Sequence, residues 1–158
     1  MTVIFVTGMS GAGKSTALAE LARRGHSVID TDEGDWTEDG RNFERLWREE
    51  KMNAVLAEHA AGTLFVSGCV DNQGSFYPRF DAVVLLSAPL DVLLARVTNR
   101  TSNPYGKAPG ERDQIITYTA TVEPLLRAGA TAEIDTRIRP DEVADELERI
   151  ARAAHSIR

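Results

Sequence analysis

The chain is poor in the residues that build disulfide-stapled, metal-centred or membrane-embedded proteins. It holds one cysteine, Cys69, so no internal disulfide forms and the fold must rest on a core; the expectation is a reducing cytoplasm. His26, His59 and His155 stand far apart without metal-ligand spacing, which argues against a zinc site. Long apolar runs are missing too. The longest, residues 82–86, has strand length, against roughly 20 residues for a membrane-spanning helix. At the N-terminus, residues 8–14 interrupt the apolar run before it resembles a secretory signal. Positive charge is in deficit, with 18 Lys and Arg against 24 Asp and Glu for a net charge of −6. General adhesion to nucleic acid or to an anionic membrane is therefore not expected, although a local basic patch can still hold phosphate.

What is present is an ordinary globular composition in a length that suits one domain, residues 1–158. Residues 3–6, 27–29, 63–67, 82–86 and 131–135 read as strands. Helical spacing falls between them: Ala17, Leu18, Leu21 and Ala22; then about 43–60, after a polar loop over 31–42. Further on come Leu90, Leu93, Leu94 and Val97 behind Pro89, then Ile115 to Leu126 with Pro124 as a kink or stop. The last helix starts near Pro140 and carries Val143, Leu147, Ile150 and Ala154. A loop over residues 99–113 is long for a compact domain, and loops of that length are often functional. Such alternation predicts a three-layer α/β/α sandwich around a five-stranded, mainly parallel sheet. Ligands bind such sheets beyond the carboxyl ends of the strands, where Gly8, Asp30 and Ser67 fall.

The sharpest local signal is Gly8-Met9-Ser10-Gly11-Ala12-Gly13-Lys14-Ser15, which fits G-x-x-x-x-G-K-[ST] between a strand and a helix and is followed by Thr16. Glycines let successive N–H groups converge on phosphate oxygens, and the helix presents its positive end to the same anion. Gly8, Ser10, Gly11, Ala12, Gly13, Lys14, Ser15 and Thr16 are thus candidates to hold a nucleoside triphosphate. Lys14 would reach the β- and γ-phosphates and Ser15 would ligate Mg²⁺. Asp30 and Asp32 share one side of an extended strand end: one can hold the metal's water shell, the other can orient or deprotonate an acceptor hydroxyl. Capping and solvating the loop is their plainer role. Arg96 and Arg100, one helical turn apart beside the long loop, would stabilise charge on a transferring phosphoryl group, with Lys107 and Arg112 as further cations. A solvated basic loop is the alternative. Behind the third strand, Gly68 would admit a substrate close to the backbone and Asp71 could approach the metal. Trp36, Trp47, Phe76 and Tyr77 either line an acceptor pocket or pack in the core, and Tyr105 belongs to a turn or stacks on a ligand.

Carrying residues 8–16, the Val28-Ile29-Asp30-Thr31-Asp32 segment and the arginine-bearing loop, the sequence resembles the shikimate kinase and nucleoside monophosphate kinase group of small P-loop kinases. The tail Glu133-Ile134-Asp135-Thr136, followed by Pro140, is similar as well. The resemblance implies a P-loop NTPase fold with strand order 2-3-1-4-5, ATP with Mg²⁺ as donor, and a lid over about 99–113. By the same resemblance Asp32 is the acceptor base, Asp30 a metal-side carboxylate, and the tail with Arg137 lies on the donor side near the adenine. Departures fall on the acceptor side. Ser67-Gly68-Cys69 stands where shikimate kinases carry Gly-Gly-Gly, and Val122 precedes Glu123-Pro124-Leu125 where an arginine is expected. The acceptor pocket is rebuilt, with Asp32, Arg48, Gly68 and Asp71 as its candidates and Arg45 nearby. The expected activity is transfer of the γ-phosphate to a small metabolite by a monomer or small homo-oligomer. Nucleoside or nucleotide phosphorylation, and regulation by nucleotide occupancy alone, stay open.

Overall fold

Apolar runs and amphipathic stretches resolve into a central parallel sheet in the computed structural model, which describes residues 1–156. Ile157 and Arg158, the end of the expected 1–158 domain, lie outside the described residues. In chain order the elements are β1 (Thr2–Thr7), α1 (Lys14–Arg23), β2 (Ser27–Asp30), β3 (Thr37–Asp39), β4 (Arg45–Trp47), α2 (Glu49–Glu58) and β5 (Thr63–Ser67). They continue with β6 (Ala82–Ser87), α3 (Leu90–Asn99), α4 (Pro109–Thr121), α5 (Glu123–Gly129), β7 (Ala132–Asp135) and α6 (Pro140–Ser156). The sheet runs β2-β5-β1-β6-β7 with every pairing parallel. Counting only its five strands along the chain, that is the expected 2-3-1-4-5. Among the described residues no helix is long and apolar enough to cross a membrane.

Central strands are buried on both faces, which is why they read as unbroken apolar runs. Side chains alternate across the sheet. From β1, Ile4 and Val6 join Leu18 and Leu21 of α1 and Val143, Leu147 and Ile150 of α6. Val3 and Phe5 point the other way, into Trp47, Met52 and Leu56 with Phe76 and Phe80. Phe5 stacks on Phe80 at 5.0 Å between ring centroids and meets the edge of Trp47 at 5.2 Å.

One expected helix starts later than its spacing suggests. Residues 44–48 are not helical and Phe43 ends a short 3-10 turn: β3 and β4 form an antiparallel hairpin there, pairing Thr37 with Trp47 and Asp39 with Arg45. Asn42 and Phe43 have φ of 54° and 63°, which a right-handed helix does not admit. Helix α2 therefore begins at Glu49, with Glu49 and Glu50 facing its positive end. The loop expected over 99–113 is likewise shorter, because Pro109 opens α4. Pro124 falls in the first turn of α5, so the expected helix over 115–126 is two helices parted at Val122.

The C-terminal end of β5 meets β2 tightly. Thr31 donates its hydroxyl to Ser67 O (2.7 Å) and accepts from the Trp47 indole N–H (2.9 Å). A Cβ on Gly68 would lie 2.3 Å from Thr31 Oγ1 and 3.4 Å from Trp47 Nε1. Gly68→Ala should therefore destabilise the fold by about 1–3 kcal/mol, the usual cost of overpacking. Urea unfolding measures this, and an unchanged midpoint would show that Thr31 and Trp47 give way freely.

Candidate phosphate-binding and transfer site

The turn between β1 and α1 runs too close to its neighbours for side chains at two positions. A Cβ on Gly8 would approach Leu86 O to 2.5 Å, and one on Gly11, where φ is +87°, would approach Leu93 O to 2.7 Å. Glycine at both lets the loop settle against β6 and α3 and arch over the start of α1. Lys14 is buried beneath the arch, its ammonium donating to Gly8 O (2.6 Å) and Met9 O (3.1 Å). Those carbonyls fix the cation on the loop's own axis.

Ser10, Gly11 and residues 13–16 form one wall of a cleft of about 420 Å³, and Asp32, Arg96 and Arg100 form much of the rest. Ser15 Oγ donates to Asp30 Oδ2 at 2.6 Å, and Asp30 Oδ1 accepts the Asp32 N–H at 3.0 Å. The expected metal pair is thus in contact, and the expected base is held by the same carboxylate. A hydroxyl and a carboxylate are hard oxygen donors that suit Mg²⁺, whose remaining coordination in phosphate sites comes from water and substrate phosphate. Among the described residues no group of three or more His, Cys, Asp or Glu is placed to hold a metal ion.

Asp32 is reachable from solvent at the cleft mouth, yet the protein mass around it raises its carboxyl above the usual range. Lys14, Arg100 and Arg45 oppose that rise, and the charge on Asp30 reinforces it. Arg100 donates to three neutral oxygens: Tyr105 O (2.7 Å), Asn103 O (3.0 Å) and Ser10 Oγ (3.3 Å). Burial lowers its pKa, and the charge on Asp32 opposes that shift. Arg96 has a different place. It donates to Thr136 Oγ1 (2.8 Å), Thr136 O (2.6 Å) and Gly11 O (3.2 Å), while Thr136 Oγ1 donates to Ala12 O (2.8 Å). This brace ties the phosphate loop to the chain leaving β7. Thr136 belongs to the tail that resembles the kinase group, but its partners are 40 and 124 residues away, so spacing did not announce the brace.

Several expected residues stand elsewhere. Arg48 is taken by Asp35 and Glu38 (3.2 Å each) within its own hairpin region, so it does not reach the cleft. Gly68 is glycine to seat Thr31 and Trp47, not to admit an acceptor. Asp71 is bound to β4: its carboxylate accepts the Arg45 N–H (2.8 Å) and its own N–H donates to Arg45 O (2.8 Å). Arg137 folds back onto Asp135 at 2.7 Å, and the small pocket beside Gly13 and Thr16 is lined by Ile138, Pro140 and Val143 instead. Lys107 and Arg112 do not line the cleft; Arg112 contacts Thr98 Oγ1. Trp47 and Phe76 are core, Trp36 lies under Lys51 at 4.6 Å, and Tyr105 bonds Gln114. Burial pushes the Cys69 thiol up, so it is no ready nucleophile.

Comparison with known proteins places this geometry. The AAA domain family model matches residues 4–117. Shikimate kinase from Bacteroides thetaiotaomicron superposes with a TM-score of 0.64 at 22% identity, over 94% of this chain and 97% of that one. Shikimate kinase from Acinetobacter baumannii, solved in complex with shikimate, gives 0.63 at 20% identity, over 100% and 95%. A gluconokinase from Sinorhizobium meliloti gives 0.57 at 20% identity, over 99% and 95%. No curated protein matches the chain significantly in sequence. The resemblance to small P-loop kinases thus holds at the level of the fold.

Asp32 offers a stability test. A carboxyl whose folded pKa is raised opposes folding when ionised, and the penalty vanishes once pH falls low enough to protonate it in both states. Asp32→Asn should accordingly raise the melting temperature of the ligand-free protein at neutral pH, and the gain should shrink as pH falls through the carboxylate range. Melting curves across pH measure this; an equal or lower melting temperature at neutral pH would refute the burial cost.

Proposed function

The chain belongs to the AAA domain family, and from that footing we propose that it is an ATP-dependent kinase passing the γ-phosphoryl group to a hydroxyl of a small metabolite. The observation that carries this is the convergence in one cleft of the Lys14 loop, the Ser15–Asp30 pair and the Asp32 carboxyl. In this reading residues 1–158 form one catalytic domain, and residues 99–113 close over the phosphates.

Ser15 and Asp30 are the residues to hold Mg²⁺, which when bound neutralises phosphate charge and orients the β- and γ-oxygens. Lys14 binds the same oxygens from beneath. Asp32 takes the proton of the acceptor hydroxyl as that oxygen bonds to the γ-phosphorus. The bond from the γ-phosphorus to its bridging oxygen breaks, and ADP leaves with that oxygen. A carboxylate with a raised pKa is the better base for this step. Arg100, beside Ser10, is placed to offset charge spreading over the transferring oxygens. Arg96 acts through the loop it braces.

Incubation with Mg·ATP and a metabolite extract, read by mass spectrometry, should reveal at least one new phosphorylated species. Asp32→Asn should slow its formation by about 10²–10⁴-fold, the usual worth of a general base, and Lys14→Ala should abolish it. Unchanged turnover in Asp32→Asn would remove Asp32 as the base. Nucleotide retention without any product would favour a regulator that only binds.

A further inference from the structure

The turn between β3 and β4 carries two costs at one place. Asn42 and Phe43 both sit in the left-handed region, and a bulky residue there is an outlier. The Phe43 ring is also fully exposed, forgoing burial worth about 1.5–3 kcal/mol. Neither cost improves the core, which Trp47 fills from the same hairpin. Backbone outliers of this kind concentrate where a ligand is held.

Phe43 lines a cavity of about 370 Å³ together with Met9 of the phosphate loop, Tyr118 of α4 and Val122. That volume falls within the usual range of small-molecule sites. Tyr118 is exposed as well, so two aromatic residues from separate elements border one cavity without burying each other. The cavity adjoins the phosphate loop, because Met9 of that loop lies on its wall.

Its charged lining residues are Glu44, Arg45 and Asp71. Arg45 is paired with Asp39 at 2.9 Å, and Arg48 is consumed by Asp35 and Glu38. Arg45 is thus the one cation among the described lining residues and already shares its charge with Asp39, against the two carboxylates Glu44 and Asp71. An anionic acceptor entering here would face Glu44 and Asp71 and would have to displace Asp39 to engage Arg45. A neutral ring would meet Phe43, Met9 and Val122, and an ammonium group would meet Glu44, Asp71 and the aromatic faces.

Resting on the kinase reading above, we infer that the acceptor is a neutral or amine-bearing hydroxyl compound with an apolar face held by Phe43 and Tyr118, and that the cavity selects against carboxylate and phosphate acceptors. Ligand-observed NMR on the full chain, with Mg²⁺ and a non-hydrolysable ATP analogue, tests this using benzyl alcohol and its para-aminomethyl and para-carboxy derivatives. The first two should bind, and the carboxy compound should bind at least about ten-fold more weakly. Phe43→Ala, which removes a fully exposed ring and leaves the core intact, should weaken the neutral probe about five-fold, with Phe43→Tyr restoring it. Equal or tighter binding of the carboxy compound, no binding of the other two, or an indifferent Phe43→Ala would each overturn the inference. Such a failure would leave product formation in the extract intact, whereas failure of the kinase reading would abolish that product.

Discussion

The path of the backbone from Gly8 to Lys14 decides what the cleft can do. It passes so near Leu86 O and Leu93 O that a methyl group fits at neither Gly8 nor Gly11. The loop is consequently seated on β6 and α3, and its shape follows from the sheet. Lys14 is threaded back under it onto Gly8 O and Met9 O, and Arg96 with Thr136 braces its far side. Dipoles fixed in this way need little reorganisation when a polyphosphate arrives, which is the condition for strong electrostatic stabilisation. Ser15 and Asp30 then come together because α1 starts at the loop's end and β2 runs beside β5.

The two sides of the cleft are built differently. Around the phosphate loop, Lys14, Arg96 and Arg100 are held by carbonyls and hydroxyls of the loop and its neighbouring segments. On the acceptor side the chain inserts a hairpin that the parallel sheet does not need. Arg48 and Asp71, which could have served a substrate, serve the hairpin: one pairs with Asp35 and Glu38, the other clamps Arg45. What the hairpin offers outward is the fully exposed Phe43 ring. In the proposed reading, a donor site kept beside a rebuilt acceptor wall is how one fold would serve a different acceptor.

Much of this could be read from the sequence where cause and effect are close along the chain. The five sheet strands stand out because both faces are buried, and Lys14, Ser15, Asp30 and Asp32 because the loop and strand ends that place them are local. The hairpin escaped because Asn42-Phe43 takes left-handed backbone without the glycine that usually announces it, while Phe43 and Trp47 keep a helix-like spacing. Gly68 and Arg48 were misplaced for a related reason. The groups that occupy them, Thr31 and Trp47 in one case and Asp35 and Glu38 in the other, are set by folding of the insertion. The Arg96–Thr136 brace joins residues 40 apart, across the end of α3, α4, α5 and β7, beyond the reach of any periodicity.

If the Lys14 loop and the Ser15–Asp30 pair form a metal-assisted polyphosphate site, ATP affinity must depend on both Mg²⁺ and the Ser15 hydroxyl. Isothermal titration with ATP, with and without Mg²⁺, on the native chain and on Ser15→Ala tests it most directly. The account predicts binding that tightens with Mg²⁺ in the native chain, and loss of most of that metal-dependent gain in Ser15→Ala. Absence of binding by folded protein, or an affinity indifferent to Mg²⁺ and to the Ser15 hydroxyl, would contradict it.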